Sequence, residues 1–196
     1  MRSVPAKMAT KLMLAADLFA ERGLDGTKTE DIAAATGIPK ATLYYYFEGK
    51  EQVLSYIFGI VLDAVGRAVA SAVEGPGDAS ERMRRLIKAH IRVFADYPRA
   101  SQALQFDLGR AARFPEVVAR SNNAFIEPVT ALIDEGIKEG TFRVGLQPRL
   151  TAVGILGLIN TSAMYVITRD VDVTLEGIID GLSAFALGGL LEAGDA

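Results

Sequence analysis

Met8, Leu12, Ala15, Ala16 and Phe19 fall on one stripe of an α-helix, spaced at i, i+4, i+7, i+8 and i+11. The stripe stops where Gly23 follows Glu21-Arg22, a position suited to a left-handed cap. A second, short helix opens between Thr27 and Thr29. Thr27-x-x-Glu30 has the spacing of a capping box, and Thr29 ahead of Glu30-Asp31 has that of an N-cap with an acidic first turn. Ile32, Ala33 and Ala34 carry this helix to Gly37, where the chain turns. Pro39 fits the first turn of a third helix, because the N–H it lacks would be unpaired there. Leu43 and Phe47, four apart, give that helix an apolar side, and Gly49 ends it.

Beyond Lys50 the apolar runs lengthen. One helix is expected from Glu51 to about Val73, ending at Gly75-Pro76-Gly77, and another from Ser80 to Asp96, stopped by Pro98. Shorter pieces continue to Ala112. A helix from Pro115 to Lys138 is expected to kink at Pro128. A loop spans Gly140 to Gly145, Pro148 opens the next helix, and Leu175 to about Leu191 forms the last. No alternating run between turn signals makes a strand. The pattern therefore predicts an all-α protein: an N-terminal three-helix helix-turn-helix head, residues 1–49, and a larger helical body, residues 50–196.

The third helix of the head carries unusual chemistry. Lys40, Thr42, Tyr44, Tyr45 and Tyr46 fall within seven positions, and half of the six tyrosines stand in a row. Successive helical residues point about 100° apart, so three adjacent tyrosines cannot all face the core. Tyrosine, threonine and lysine turned outward are side chains that bond phosphates and touch base edges. A short helix, a tight Gly turn and a second helix make the unit that enters the DNA major groove.

The run Ala15-Ala16-x-Leu18-Phe19-Ala20-Glu21-Arg22-Gly23, then Thr29-x-Asp31-Ile32-Ala33, then Gly37-Ile38-Pro39-Lys40-Ala41-Thr42-Leu43-Tyr44-Tyr45-Tyr46-Phe47 with Lys50 resembles the DNA-binding head of the TetR family of transcriptional regulators. The ordered match covers roughly residues 14–54. The resemblance implies a repressor, usually homodimeric, released from a palindromic DNA operator by a small effector. It implies that Thr29, Thr42, Tyr46 and Lys50 meet the phosphate backbone and that Lys40, Ala41, Tyr44 and Tyr45 face the bases. Pro39 stands where the family often has a serine, and Ala41 where glycine is frequent; both bear on which bases are read. The alternative reading is a helical protein-interaction adaptor that uses the same head without DNA.

Composition bears on this in two ways. The absence of cysteine and the single histidine, His90, exclude thiolate or histidine-rich metal sites and cysteine nucleophiles. Together with the absence of phosphate-loop, dinucleotide-turn and nucleophile-elbow motifs, they point away from an enzyme; neither cofactor nor metal is expected. The formal charge of −3 argues against nucleic acid until the chain is divided. Residues 1–50 hold seven Lys/Arg and six Asp/Glu, and residues 51–196 hold fourteen and eighteen, so the acidity belongs to the body. Without a signal-peptide core, and with the uncharged run from Leu150 to Thr168 broken by Thr151, Asn160, Thr161 and Ser162, a cytoplasmic protein that does not enter membranes is expected.

In the body, Ala152 to Ile167 is apolar nearly all round and holds Gly154 and Gly157. Such a helix must be covered on every side. With the stripe Leu175, Ile178, Ile179, Leu182, Phe185 and Ala186 on the last helix, it predicts a homodimer through a four-helix interface that uses Ile155, Ile159, Ile178, Leu182 and Phe185. Phe58, Leu62, Phe94, Leu104, Phe106, Phe125 and Tyr165, with His90 as the polar group, are candidates to line an apolar effector pocket. The basic run Arg82, Arg84, Arg85, Lys88 and Arg92 is either a solvated face or a clamp for an anionic effector such as an acyl-coenzyme A.

Overall fold

A computed structural model describes residues 3–108, 114–168 and 173–191, and every regular element among them is helical. The head holds α1 (Ala6–Leu12) and α2 (Ala16–Gly26), joined by a 3-10 turn, then α3 (Thr29–Thr36) and α4 (Lys40–Tyr46). The helices that follow are α5 (Lys50–Val73), α6 (Ala79–Asp96), α7 (Pro98–Leu108), α8 (Pro115–Ser121), α9 (Glu127–Lys138), α10 (Pro148–Thr168) and α11 (Leu175–Leu190). The expected continuation from 109 to Ala112 and the side chain of Ile167 lie outside the described residues.

The chain packs as two compact units: residues 1–61 with 97–118, and residues 62–96 with 119–196. In the first, Leu12, Phe19, Leu24, Ile32, Leu43, Leu54 and Ile57 are buried. The periodicity of the first helix is thus a core stripe. The helix passes through Gly23, whose φ of 64° and ψ of 179° kink it before it ends at Gly26. Thr27 is not a cap. Its hydroxyl is buried and donates to the Gly23 carbonyl at 2.8 Å, because the kink brings that unpaired carbonyl back against it. The capping contact of α3 comes from Asp31, whose carboxylate accepts the Lys28 backbone N–H at 3.1 Å. Gly37 takes the left-handed conformation, φ 62° and ψ 24°, that closes the turn between α3 and α4. The buried Thr36 hydroxyl secures the turn, donating to the Ile32 carbonyl at 2.7 Å and accepting the Ile38 N–H at 3.3 Å.

In the second unit, Met83, Leu86, Ile87, Phe125, Leu132, Ile133, Phe142 and Ile159 are buried. The expected Pro115–Lys138 helix is interrupted by a π-helical turn, Asn122–Ile126, just before Pro128. A proline collides with the carbonyl four residues back and gives it no hydrogen, and widening the turn relieves both. Gly136 is where α9 comes against Phe142 and Ala79: a Cβ added there would lie 2.3 Å from the Phe142 ring and 2.8 Å from Ala79.

Candidate nucleic-acid interface and effector site

The reading surface is built by a seven-residue helix with one buried side. Leu43 on α4 and Phe47 just after it are 1% and 2% exposed, and the Phe47 ring sits 5.6 Å from Tyr56 on α5. With that side fixed inward, the 100° step turns the neighbours out: Lys40, Ala41, Tyr44 and Tyr45 are exposed, the two tyrosines by 53% and 59%. Thr42 and Tyr46 are half-buried, Tyr46 meeting the Tyr45 ring edge-on at 5.0 Å. Thr29, also half-buried, begins α3. The four residues expected to face bases therefore share the outward side of α4.

Two cations on this surface are already engaged. Lys40 Nζ donates to the Glu30 carboxylate on α3 and lies 5.9 Å from the centre of the Tyr44 ring. The hydrogen bond from Lys40 holds Glu30 below the usual carboxylate range, and the same bond raises Lys40 above that of a free lysine. Lys50 Nζ donates to the backbone carbonyls of Thr27 at 2.9 Å and Asp25 at 3.4 Å. It therefore ties the start of α5 to the chain between α2 and α3, with one of its three hydrogens left for a phosphate. Sequence reasoning did not find Glu30 as a partner of Lys40, nor Arg99. The Arg99 guanidinium on α7 donates to Asp17 at 2.8 Å and Glu21 at 2.7 Å, one turn apart on α2. The i, i+4 spacing of the two acids was the available signal.

The residues expected to form an effector pocket are divided between the units. Phe58, Leu104 and Phe106 belong to the first, and Leu62, His90, Phe94, Phe125 and Tyr165 to the second. Phe106 and Tyr165 are 60% and 54% exposed, so neither lines an enclosed cavity within its own unit. Three do meet: the His90 ring stacks on Phe94 at 5.5 Å and tilts against Phe125 at 4.9 Å. His90 is fully buried, its Nδ1 has no hydrogen-bond partner, and burial pushes its pKa down to about 4. Beside this cluster in sequence, the π-helical turn and α5 enclose an open groove of about 340 Å³. Leu62, Gly66 and Ala124 form its apolar part, and Asp63, Arg67, Arg120 and Asn123 its polar part. Arg120 bonds Asp63 at 2.6 Å.

The basic run on α6 is largely consumed by the fold. Arg82 forms a two-pronged pair with Glu135 at 2.6 and 3.2 Å, Lys88 and Arg92 pair with Glu176 at 3.5 and 3.3 Å, and Arg85 donates to the Pro76 carbonyl. It is an intramolecular tie rather than an open anion clamp. No group of three or more potential metal ligands occurs among the described residues.

Ile155 and Ile159, expected on a dimer face, are 5% and 0% exposed within the protomer, so they leave little surface for a second copy to cover. A helix apolar on every side does not reveal which side points inward. The outward side of α10 carries Leu150, Val153, Gly154 and Gly157, and that of α11 carries Gly181, Ala184, Phe185 and Gly188. Phe185 is 73% exposed, while Ile178 and Leu182 are half-buried. Both α5 and α10 are long and apolar enough to cross a membrane by length and composition alone; half of that stretch is buried in α5 and 22% in α10.

Comparison with known proteins agrees with this geometry. The family of bacterial regulatory proteins, tetR family, matches residues 12–57, and the tetracyclin repressor-like C-terminal domain matches residues 76–164. The repressor KstR2 of Rhodococcus jostii (strain RHA1) is 30% identical over 143 residues, 71% of this chain and 69% of that one. The regulator RutR of Escherichia coli (strain K12) is 30% identical over 140 residues, 71% of this chain and 66% of that protein, so the match spans just under two thirds of RutR. The solved structure of the ketosteroid transcriptional regulator KstR2 of Mycobacterium tuberculosis superposes with a TM-score of 0.78 at 25% identity, covering 97% of this chain and 98% of that one. These relatives are transcriptional regulators, not enzymes.

Proposed function

The chain belongs to the TetR family of bacterial transcriptional regulators, and on that premise we propose that it is a homodimeric, cytoplasmic repressor that leaves a palindromic operator when a small effector binds. The observation that carries this reading is the outward side of α4, where Lys40, Ala41, Tyr44 and Tyr45 are presented together over a buried Leu43–Phe47 anchor. Lys40 and the tyrosines read bases; Thr29, Thr42, Tyr46 and the free hydrogen of Lys50 hold phosphates. An adaptor without DNA would have no use for this concentration of hydrogen-bonding side chains on a helix of groove-entering size.

Residues 1–49 form the reading head, and residues 50–196 the effector-binding and dimerisation domain. The second copy covers the outward sides of α10 and α11, where the glycines permit close helix approach and Phe185 supplies the anchor, with Ile178 and Leu182 at its edge. Dimerisation sets two heads about 34–36 Å or a multiple apart, as successive major grooves require.

The effector has an apolar body and an anionic end, as an acyl-coenzyme A has. The groove at Leu62, Gly66 and Ala124 takes the former, and Arg67 with Arg120, the second shared with Asp63, takes the latter. The name of the ketosteroid regulator KstR2 is in keeping with an apolar effector. Helix α5, which runs without a break from Lys50 to Val73, is the covalent connection between the head and the residues of the groove. An effector lowers operator affinity only by its differential affinity for the two head positions.

The test is selection of duplexes from a randomised pool, followed by binding across a salt series. A selected palindromic site whose affinity falls with salt, and falls again on adding the ligand that native mass spectrometry finds retained, supports the proposal. Binding to no duplex in preference to another returns the chain to the adaptor class. Effector and operator that bind together without altering each other's affinity refute the release mechanism.

A further inference from the structure

Glu30 is acidic and exposed in the first turn of α3, on the surface that must approach a polyanion. A carboxylate there repels phosphates unless the complex uses it. It does not stand alone: it receives the Lys40 ammonium from the first residue of α4, across the helix-turn-helix, and Lys40 in turn lies over the Tyr44 ring, 5.9 Å from its centre. The pair and the ring hold Lys40 on the outward side of α4 beside Tyr44. A lysine free to move would take the nearest phosphate and carry no sequence information.

We propose that Glu30 is a specificity-determining residue, which holds Lys40 away from the phosphates and makes binding conditional on a G·C pair under the start of α4. The inference rests on the DNA-binding reading above. Its chemical basis is complementarity. In the major groove guanine offers two acceptors, O6 and N7, and its cytosine partner one donor, the N4 amine. An ammonium held beside the start of α4 matches the guanine edge: Glu30 keeps Lys40 turned toward O6 and N7 rather than toward a phosphate. On any other pair, or on a duplex held only by its backbone, breaking the Glu30–Lys40 pair leaves a carboxylate unpaired against phosphates. Non-specific complexes are thereby weakened more than the specific one.

The experiment compares the intact wild-type protein, Glu30→Ala, Lys40→Met and the double variant on duplexes selected by the wild type and on a scrambled duplex. In Glu30→Ala, preference at one G·C position per half-site is expected to fall about tenfold, as for loss of one base-edge contact. Its binding to the scrambled duplex is expected to tighten, and the slope of log affinity against log salt to steepen by about 0.9 per head as Lys40 gains a phosphate. In the Lys40→Met background the same substitution is expected to change base preference by less than about twofold, since Glu30 acts through Lys40. Unchanged preference and slope in Glu30→Ala, or equal losses in both backgrounds, would overturn the proposal. Wild-type protein that selects no duplex overturns the DNA-binding reading itself, so the two failures are distinguishable. Thermal melting at the Glu30→Ala variant's unchanged midpoint confirms that the comparison is between folded proteins.

Discussion

His90 is expected to make the second unit sensitive to mild acid. Its ring is enclosed by Phe94 and Phe125, Nδ1 lacks a partner, and burial alone is the cause of a pKa near 4. The unfolded chain titrates near the ordinary value of 6.5. The native state therefore binds fewer protons than the unfolded state wherever the pH lies below about 6.5, and stability falls as pH falls. The stabilisation is complete above the unfolded pKa, declines through the window from 6.5 to 4, and is gone below. At about 1.4 kcal/mol per unit the whole loss is about 3 kcal/mol, and about 2 kcal/mol is lost between pH 7 and pH 5.

Replacing His90 with Leu removes the titration and the unpaired buried nitrogen while keeping an apolar side chain of similar bulk. The assay is urea unfolding of wild type and His90→Leu at half-unit steps from pH 7.5 to 5. The window stops there because the carboxylates held below their usual range, Glu30, Asp78 and Glu135, release their own contributions at lower pH. Wild type is expected to lose about 2 kcal/mol more than the variant across the range, with the variant as stable or more stable at pH 7. Parallel curves for the two proteins would show that His90 does not titrate as a desolvated group, and the reasoning would fail.

Gly136→Ala is expected to lower the melting temperature by several degrees, since its Cβ would lie 2.3 Å from the 1%-exposed Phe142 ring and 2.8 Å from Ala79; overpacking of this kind costs about 1–3 kcal/mol. Phe185→Glu sits on an exposed site of the protomer and is expected to leave folding intact but shift the protein to monomer in sedimentation, whereas an unaltered dimer would place the interface elsewhere. Lys50→Met loses the bonds to the Thr27 and Asp25 carbonyls, so unfolding should show about 1 kcal/mol of lost stability and gel shifts an equal weakening on all duplexes. Tyr45→Ala, at a 59%-exposed position, is expected to change which duplexes are selected while barely moving the melting temperature.

What the sequence disclosed follows from the range of the forces involved. Helical period, Gly37 and Pro39 are local, and the head built from them has Leu43 and Phe47 inward and Tyr44 and Tyr45 outward as the 100° step requires. Thr27 and the α6 basic run depart from the sequence expectation because their partners are set by tertiary packing. Thr27 meets a carbonyl freed by the kink at Gly23, and Lys88 and Arg92 meet Glu176, more than eighty residues on. Ile155 and Ile159 cannot be oriented from α10 alone, because its apolar residues occupy every side, and it is packing within the second unit that turns them inward. Large apolar side chains on central helices suit core and pocket equally, so the sequence does not distinguish the two, and the effector candidates fall in two separate units.

The arrangement of charge in the head explains why a second copy matters to DNA binding. Of its cations among the described residues, Arg22 pairs with Asp31 at 3.7 Å, Lys40 pairs with Glu30, and Lys50 is bonded to backbone carbonyls, leaving Lys7, Lys11 and Lys28 without an ion pair. A head so sparingly basic gains little from counterion release, which supplies most of the affinity of non-specific complexes. On the proposed reading its binding comes instead from short-range contacts of Lys40, Tyr44 and Tyr45, which form only in register with the right bases. One such head is a weak binder; two held at fixed spacing act as one ligand, because after the first docks the second is already concentrated at its half-site. On that reading, weak long-range attraction, a carboxylate beside Lys40 and an exposed Phe185 side of α11 are linked features: the first two would suppress binding to arbitrary DNA, and dimerisation through the third would restore affinity only where two half-sites occur together.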